Sequence, residues 1–382
     1  MKAGRLIIFI VLGLLVLMLV VGLYPRSLST HAPYVSTWQM HPTSYSRQQS
    51  KQEWEISFLG DIMVHDTQII GAKKIDGSYD FSPSFAYVQS YLKHSDYVIG
   101  NLETTLAGSD AIYSGYPRFN APDELAVALR EAGVDLLVHC NNHVLDKGLA
   151  GLIRTRQIIE ETGMRYAGSR IHPDDDTVTY FDLDTTRFAL ITGTYGTNGL
   201  FLPDDQSYRI NMLDEKRLIE DVLRAQQNAE FVMVFLHFGT EYQEQPNVFQ
   251  INLSTLLIEQ GADIVVGSHP HVVQTDGFIG DNIVVYSLGN FISAQNGAKR
   301  RTGMIYTFSI VKDFIDGSIT VQQTEYLPVF TYRSNEGNRP YFLGSLDIED
   351  NDLFGSEDRR LAQDGWEYLE RTIQLADRVT LE

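Results

Sequence analysis

The sequence predicts a layered α/β fold whose chemistry is concentrated at one end of its strands. Short apolar runs rich in Val, Ile and Leu alternate with amphipathic helical segments from about residue 52 to residue 335. Two later segments, 304–311 and 318–326, alternate like antiparallel strands around Asp316-Gly317. A layered α/β sandwich therefore fits better than a purely parallel sheet.

Five of the apolar runs end in a residue that can bind a metal ion or transfer a proton. The carboxyl ends of strands in an open α/β sheet meet at one edge, where such folds build their sites. We therefore expect the side chains after these runs to converge on one site. The runs 54–59, 97–100, 134–138, 231–236 and 262–266 lead, in this order, to Asp61, to Glu103, to Asn142 and His143, to His237, and to His269 and His271.

The last of these runs ends in a turn that is expected to be stiff. His269 and His271 flank Pro270, which has a fixed φ and favours an extended residue before it. Two imidazoles held in this way suit a metal ion. A histidine pair alone also fits solvated loop residues, but the recurrence of the pattern at five strand ends favours a shared site.

The composition limits the class of protein. A chain of 382 residues with 43% hydrophobic content can bury one large core or two modest ones. A formal net charge of −19 argues against a nucleic-acid partner, which would need a basic face. Cys140 is the single cysteine, so an internal disulfide and a cysteine zinc site are both excluded, and we interpret it as a small core residue.

The N-terminal sequence predicts a membrane anchor at residues 1–24. Leu6–Leu23 is an apolar run that would reach about 27 Å as a helix. It is longer than the core of a cleavable signal peptide and no convincing cleavage site follows, so an uncleaved anchor is favoured over a cleaved signal. Lys2 and Arg5 precede the run, which predicts a cytoplasmic Met1 and an extracellular C-terminal domain.

The remaining chain divides into a linker, a domain and a tail. Residues 25–51 are rich in Ser, Thr, Pro and Gln and predict a flexible linker. Residues 52–335 form the predicted domain, with a hairpin over 177–192, and residues 336–382 form an acidic extension. The segments with a helical pattern are 83–93, 122–132, 149–162, 213–228, 248–260 and 361–375.

The predicted set of side chains suits transition-metal chemistry. Two carboxylates, one amide oxygen and three imidazoles suffice for two Mn, Fe or Zn ions, and the imidazoles argue against Ca. Two such metals can generate hydroxide and clamp the attacking and leaving oxygens of a phosphoryl displacement. His143 could protonate the leaving group, and Asp146 could either orient that ring or cap a helix.

Six motifs together carry a resemblance to a known family. In chain order they resemble the poly-γ-glutamate capsule-synthesis proteins (CapA-type, the PGA_cap family), which are related to the calcineurin-like metallophosphoesterases. The resemblance extends from about Glu53 to Phe330. The motifs are FLGDIMVH, NLETTL, CNNHVLDKG, VFLHFGTEY, GADIVVGSHPHVVQ and YSLGNFIS.

The resemblance implies a four-layer α/β/β/α sandwich of metallophosphoesterase type with a dinuclear site. It implies Asp61 and His271 as ligands of the first metal, and Glu103 as the bridging carboxylate. It implies His143 as the catalytic histidine. The ligands that it implies for the second metal are Asn142, His237 and His269.

This chain departs from the broader pattern in two motifs. Met63 stands where the first motif has a histidine, and His65 follows two residues later. The second motif is NLE rather than GD-x-x-D. Both departures predict a weaker first metal position, so occupancy by one metal or by two stays open, as does a ligand role for His65.

Residues at the predicted rim are candidates for substrate binding. Arg118 is the only cation in the long polar loop 107–120, and loops at the functional end of a sheet usually carry substrate contacts. Within the family-like motifs, substrate contact or support of the metal ligands is open for Tyr195, Asn198, Glu241 and Asn290.

Two functions from different classes fit these observations. The first is a metal-dependent hydrolase at the cell surface that acts on a phosphoester or on an anionic capsule polymer. The second is a non-catalytic subunit of the polymer synthesis or export complex with a vestigial metal site. Both predict a single-pass protein of the cell membrane whose partners are other membrane subunits of the capsule synthase.

Overall fold

The computed structural model describes residues 50–335, 337–338, 340–345 and 354–378. The predicted anchor at residues 1–24 lies outside the described residues, as does the linker before Ser50. Among the described residues, no helix combines the length and the apolar character that crossing a bilayer requires.

The strands form two sheets. The strands of the large sheet are β1 Lys51–Ile62, β2 Tyr97–Leu102, β3 Leu136–Val138, β4 Arg165–Ala167, β11 Asn290–Ile292, β12 Thr302–Asp313, β13 Ile319–Arg333, β14 Tyr341–Ser345 and β15 Asp377–Arg378. Those of the small sheet are β5 Val178–Leu183, β6 Thr186–Thr194, β7 Phe231–His237, β8 Ile264–Ser268, β9 Val273–Ile279 and β10 Asn282–Leu288. The order in the large sheet is β14-β13-β12-β1-β2-β3-β4, with β11 beside β1 and β15 beside β13, and the order in the small sheet is β5-β6-β7-β8-β10-β9.

The helices lie mainly between these strands in the chain. Their bounds are α1 Asp66–Ala72, α2 Gln89–Leu92, α3 Glu124–Ala132, α4 Gly148–Glu161, α5 Glu215–Asn228, α6 Val248–Glu259, α7 Ala298–Arg301 and α8 Ser356–Thr372. Short 3-10 helices cover Ser82–Phe85, Ser109–Ala111 and Asp204–Arg209.

The two sheets pack face to face, and helices cover their outer faces. Phe58 of β1 meets Phe235 of β7 edge to face across the central core, with ring centroids 5.6 Å apart. Leu129 of α3 packs in the outer core of the large sheet, and Leu257 of α6 packs in that of the small sheet. Burial of each such side chain contributes about 1.5–3 kcal/mol relative to exposure. The predicted mixed α/β fold with two sheets is therefore confirmed.

Each sheet has a parallel centre with antiparallel strands outside it. Strands β1 to β4 are parallel, and β12 and β13 join them in antiparallel order. In the small sheet β6, β7, β8 and β10 are parallel, while β5 and β9 are antiparallel edges. Every residue of β7 is buried, as expected for a parallel strand covered on both faces. The predicted hairpin over 177–192 and the later antiparallel section are both present.

One predicted helix is wrong. Residues 83–93 do not form a single helix, because the chain makes a 3-10 turn over Ser82–Phe85 and a separate short helix, α2. The ring of Phe85 is buried and stacks on Phe291, with centroids 6.0 Å apart. Phe291 lies in a strand 206 positions farther along the chain, so local periodicity could not indicate this contact.

The described part of the C-terminal segment belongs to the same body as the domain. Strand β14 extends the large sheet beside β13, and α8 covers part of the predicted helix 361–375. The buried carboxylate of Asp276 accepts hydrogen bonds from the amides of Gln374, Leu375 and Ala376, at 2.8–3.2 Å. These bonds hold the chain after α8 against β9.

Candidate metal centre

Asp61 lies at an irregularity of β1 that requires a glycine. The register between β1 and β2 shifts between Leu59 and Asp61. A Cβ on Gly60 would lie 2.0 Å from the carbonyl oxygen of Gly289, and the Asp61 amide donates to that same oxygen at 3.0 Å. The glycine therefore permits the close approach of two backbones that presents the buried Asp61 carboxylate at the sheet edge.

Glu103 is at the centre of the predicted cluster. It follows β2 and is completely buried. Its Oε1 lies 3.6 Å from Nε2 of His237, 3.8 Å from Nε2 of His271 and 3.9 Å from Nε2 of His143. Within the described residues, neither carboxylate oxygen of Glu103 has a hydrogen-bond partner. Buried carboxylates are otherwise nearly always satisfied, so these two oxygens require an explanation.

The separations suit ligands that share a cation. Atoms bound to one cation at about 2.1 Å lie about 3.0–3.4 Å from each other in octahedral or tetrahedral geometry. The three imidazole nitrogens are only slightly farther from Glu103 than that. Two overlapping groups of donor atoms, each within 4.8 Å of one another, occur among the described residues: Asp61 with Glu103 and His271, and Glu241 with His269 and His271.

The electrostatics of the cluster also fit a cation. Burial, followed by the charge of Asp61, raises the pKa of Glu103 well above its ordinary value. Burial lowers the pKa of His237 well below the ordinary value and that of His269 to about 3, and neighbouring imidazoles add to both shifts. Neutral imidazoles are ready to ligate a metal, and a divalent cation would offset the repulsion between the two buried carboxylates. The residues therefore fit a metal ion.

The turn between β8 and β9 is stiff, but for a different reason from the one expected. His269 has a φ of 100° and His271 a φ of 56°, so both non-glycine residues are left-handed, and His269 lacks the extended φ predicted before Pro270. Such conformations cost about 1–3 kcal/mol each and persist only where the surroundings fix them. The Asp61 carboxylate accepts from the His269 amide at 3.3 Å, and the Pro270 carbonyl accepts from the Tyr242 amide at 2.7 Å.

Asn101 orients two members of the cluster, and the sequence analysis missed it. Its amide nitrogen donates to Asp61 Oδ1 at 2.7 Å and lies 3.3 Å from His237 Nδ1. Asn141 in turn donates to Asn101 Oδ1 at 3.1 Å. Asn101 is the first residue of the NLE motif, at the end of a buried strand, so the strand-end pattern that selected Glu103 could have included it.

Asn142 joins the cluster directly. Its Oδ1 lies 2.7 Å from Nε2 of His237, and Nδ1 of the same ring lies 3.0 Å from the hydroxyl of Ser268. Asn142 follows β3 of the large sheet, and His237 is the last residue of β7 in the small sheet, so this contact crosses between the sheets. The structure thus brings together all six predicted ligands: Asp61, Glu103, Asn142, His237, His269 and His271.

His143 is held by Asp146. Its Nδ1 lies 2.7 Å from Asp146 Oδ2, which also accepts from the Phe119 amide at 2.6 Å. The other ring nitrogen faces Glu103. Helix α4 begins at Gly148, where Lys147 is the N-cap residue and has no capping side chain. Of the two roles that were open for Asp146, the geometry therefore supports orientation of the His143 ring.

The predicted rim residues occupy three kinds of position. Tyr195 is exposed, with its ring centroid 4.3 Å from that of His269, and Asn198 reaches both ring nitrogens of His143 at 3.4 Å. Glu241 is exposed but belongs to the second donor group. Asn290 is completely buried, and its Oδ1 lies 3.0 Å from Nδ1 of His271. Its geometry therefore supports positioning of that ring rather than contact with substrate.

His65 stays outside both donor groups found in the described part of the chain. Its Nδ1 lies 3.2 Å from Gln68 Oε1 and 3.3 Å from the Ala294 amide. Burial lowers its pKa to about 4. Met63 is buried and, like His65, lines the pocket above the centre. Met63 occupies the position at which the broader first motif has a histidine, and the geometry does not support His65 as a ligand in its place.

A cleft of two pockets opens above the centre. One has a volume of ≈ 320 Å³ and contains Arg118, and the other has a volume of ≈ 330 Å³ and contains His271. Both are lined by Tyr116, His143 and Glu241. These three residues therefore lie where the two pockets meet.

Residues 55–295 match the family model described as Bacterial capsule synthesis protein PGA_cap. The chain belongs to this family. The match confirms the resemblance indicated by the six motifs.

Similar proteins agree with this assignment. The capsule biosynthesis protein CapA of Bacillus anthracis is 26% identical over 346 residues, which cover 85% of this chain and 82% of that protein. The PGA biosynthesis protein CapA of Bacillus subtilis (strain 168) is 26% identical over 264 residues, covering 67% and 68%. A Staphylococcus aureus protein provisionally assigned as a 5'-nucleotidase, solved in complex with alpha-ketoglutarate, has a TM-score of 0.50 and 13% identity, covering 83% of this chain and 58% of that chain. The last likeness shows a shared fold.

Proposed function

We propose that this PGA_cap protein acts in capsule (poly-γ-glutamate) biosynthesis or export as a metal-dependent hydrolase of phosphoesters. The observation that carries the proposal is the buried Glu103 carboxylate, which lacks hydrogen-bond partners among the described residues and has three imidazole nitrogens within 3.9 Å of Oε1. A set of neutral imidazoles and facing carboxylates without a cation would be costly to bury. A cleft opens directly above it, as a substrate requires.

The roles within the site follow from the donor atoms. Asp61, Glu103 and His271 would hold one metal, and a second would take Asn142, His237 and His269 with Glu241 beside them. A bound Mn, Fe or Zn ion supplies Lewis acidity and lowers the pKa of bound water. Asp146 accepts from Nδ1 of His143. When the ring is protonated, its second proton is therefore on Nε2, from which it can pass to a leaving oxygen.

Metal analysis and a phosphodiesterase assay of the full-length protein test this proposal. We expect bound Mn, Fe or Zn and hydrolysis of bis(p-nitrophenyl) phosphate. His143→Ala should retain metal and lower kcat by about 10²–10⁴-fold, the usual contribution of general acid catalysis. His172→Ala, an exposed histidine outside the cluster, is the control and should match the wild type. A wild-type protein that binds metal but hydrolyses no phosphoester would overturn the proposal.

A non-catalytic role is the second candidate, and the first metal position favours it. Met63 is buried where the broader pattern has a histidine, and the ring of His65 contacts Gln68 and Ala294 instead. A weakly occupied site could serve only to join the sheets of a scaffolding subunit. Complementation of a deletion strain separates the two functions, because a scaffold with His143→Ala would still restore the capsule and a hydrolase would not.

We also propose that residues 1–24 anchor the protein in the cell membrane, with the C-terminal domain extracellular and near other membrane subunits of the capsule synthase. The proposal rests on the apolar run Leu6–Leu23 and on Lys2 and Arg5 before it. Protease treatment of intact protoplasts should degrade the domain and leave the protein's N-terminus in the membrane fraction. Release of a shortened protein into the medium would indicate a cleaved signal instead.

A further inference from the structure

A further cavity lies beside the cleft, between α7, α8 and the strands β13 and β14. Its volume of ≈ 420 Å³ is within the range of small-molecule sites. Residues 294–296 line both this cavity and the cleft, but none of the six predicted metal ligands is among the described residues that line it. Two arginines line it, Arg301 and Arg333, and we call it the arginine pocket.

Most of the arginine pocket comes from the chain beyond the family match. The match to the family model ends at residue 295, whereas α7, β13, β14 and α8 all follow it. The pocket is therefore a feature of this chain's C-terminal part and is separate from the candidate metal centre.

Arg301 is held in place, and its charge is balanced within the protein. Its Nη1 donates to Asp358 Oδ1 at 2.8 Å, and its Nε donates to the carbonyl oxygen of Thr331 at 2.8 Å. The guanidinium carbon lies 4.6 Å from the ring centroid of Phe330. Its Nη2 is buried and has no hydrogen-bond partner among the described residues. The guanidinium is thus fixed, but its donors are not all used.

Arg333 carries the charge that the pocket does not balance. The second oxygen of Asp358, Oδ2, accepts from the backbone amide of Arg333 at 2.9 Å and not from its guanidinium. Within the described part of the chain that guanidinium forms no ion pair, and its Nε is buried without a hydrogen-bond partner. Its carbon lies 5.4 Å from the ring centroid of Tyr341. Because a partly buried cation without a counter-charge is unfavourable, the pocket suits an anion.

One carboxylate of the pocket opposes an anion. Glu357 of α8 lines the pocket and is exposed, and neither arginine forms an ion pair with it. Solvent screens an exposed charge, so its repulsion of a ligand should be weaker than the attraction by the two partly buried guanidinium groups. Removal of its charge should favour an anion and disfavour a cation.

We propose that the arginine pocket is a binding site for a small oxyanion, held between Arg301 and Arg333. The ligand group is a phosphoryl or a carboxylate group, because a guanidinium binds either one through parallel N–H donors. Such a group balances the charge of Arg333 and accepts from donors that the described residues do not use. The site requires no metal ion and does not depend on the proposed hydrolase.

Isothermal titration calorimetry of the full-length protein in detergent tests this inference. Metal is removed with a chelator, and dialysis against metal-free buffer then removes the chelator, so the probes cannot bind through a metal ion. The probes are inorganic phosphate and citrate. Tighter binding of phosphate would support a phosphoryl ligand, and tighter binding of citrate would support a small polycarboxylate. If neither probe binds at millimolar concentration, there is no such site.

Substitution of Arg333 locates the binding. Arg333→Ala should raise the Kd about tenfold, since a charge-assisted contact is lost. Arg333→Lys should recover part of the affinity, because it restores the charge without the planar fork. Arg360→Ala is the matched control, because Arg360 of α8 pairs with Asp364 and does not line the pocket. Its Kd should stay within about twofold of the wild type. Equal weakening by Arg333→Ala and Arg360→Ala would contradict the inference.

Glu357→Gln tests the sign of the ligand's charge without removing a buried contact. The Kd for the better of the two probes should fall about threefold, because a screened repulsion is removed. A rise in the Kd would show that Glu357 attracts the ligand and would overturn the oxyanion site. Thermal unfolding of each variant without a probe verifies that it is folded, and Glu357→Gln keeps the inference testable if Arg333→Ala is not.

Discussion

The two sheets contribute chemically different halves to the candidate metal centre. The large sheet supplies the oxygen donors Asp61, Glu103 and Asn142, and the small sheet supplies the imidazoles His237, His269 and His271. The halves are joined by pairs that cross between the sheets, such as His271 with Asp61 at 3.0 Å. A cation bound here would therefore stabilise the packing of one sheet against the other, and each half can be tested separately.

Removal of His271 from the small sheet should have the largest effect, because this residue belongs to both donor groups. A ligand at about 1,000 times its Kd stabilises a protein by about 4 kcal/mol. In His271→Ala, thermal unfolding with and without added Mn or Zn should coincide, whereas the wild type and the exposed control His172→Ala should be stabilised. Retained metal-induced stabilisation in His271→Ala would show that the halves do not share this ligand.

Asn101→Ala tests the support of the oxygen half. The side chain holds Asp61 and approaches His237 without belonging to a donor group. Loss of such an orienting partner typically weakens metal affinity about 10–100-fold. Competition with a fluorescent chelator measures this change. An affinity equal to that of the wild type would mean that Asp61 is fixed by the backbone irregularity at Gly60 alone.

Glu103→Gln should separate the stability of the metal-free protein from metal binding. In the metal-free protein, burial and the charge of Asp61 disfavour the ionised form of the Glu103 carboxylate. An isosteric amide removes the charge, so denaturation in EDTA should show a gain of about 1–2 kcal/mol. Metal affinity should fall in the same variant. A loss of stability in EDTA would contradict the repulsion between the two carboxylates.

His139 provides a pH test outside the donor groups. It is completely buried beside Tyr166, and burial lowers its pKa to about 3 from 6.5. Below pH 6.5 His139 is protonated in the unfolded chain but stays neutral in the folded protein, so the free energy of unfolding falls as the pH falls. Between pH 6.5 and 5.5 this costs about 1 kcal/mol. Denaturation of His139→Phe, with metal present throughout, should be less sensitive to pH over that interval.

Much of the fold could be predicted because it depends on local patterns. The apolar runs, the hairpin over 177–192 and five of the six helical segments follow from periodicity and turn residues. The exceptions have two causes. Phe85 stacks on Phe291, which is far away in the chain. Strand β14 pairs with β13 in the segment after residue 335, which the acidic composition placed outside the domain.

In the candidate site, too, local sequence patterns predict some features and not others. Convergence of Asp61, Glu103 and the histidines could be predicted, because strand ends share an edge. The ion pairs of Lys299 with Glu244 and of Arg301 with Asp358 could not, since each depends on a carboxylate at least 55 positions away in the chain. The left-handed φ of His269 also escaped prediction, because Pro270 favours an extended residue before it and the contacts that hold this turn come from Asp61 and Tyr242.

The direction of β1 has a consequence for access. The strand enters the domain at Lys51 and reaches the centre at Asp61, ten residue steps later, or about 33 Å at about 3.3 Å per step. The start of β1 therefore lies at the far end of the strand from the centre, and none of the residues that line the cleft comes from that end.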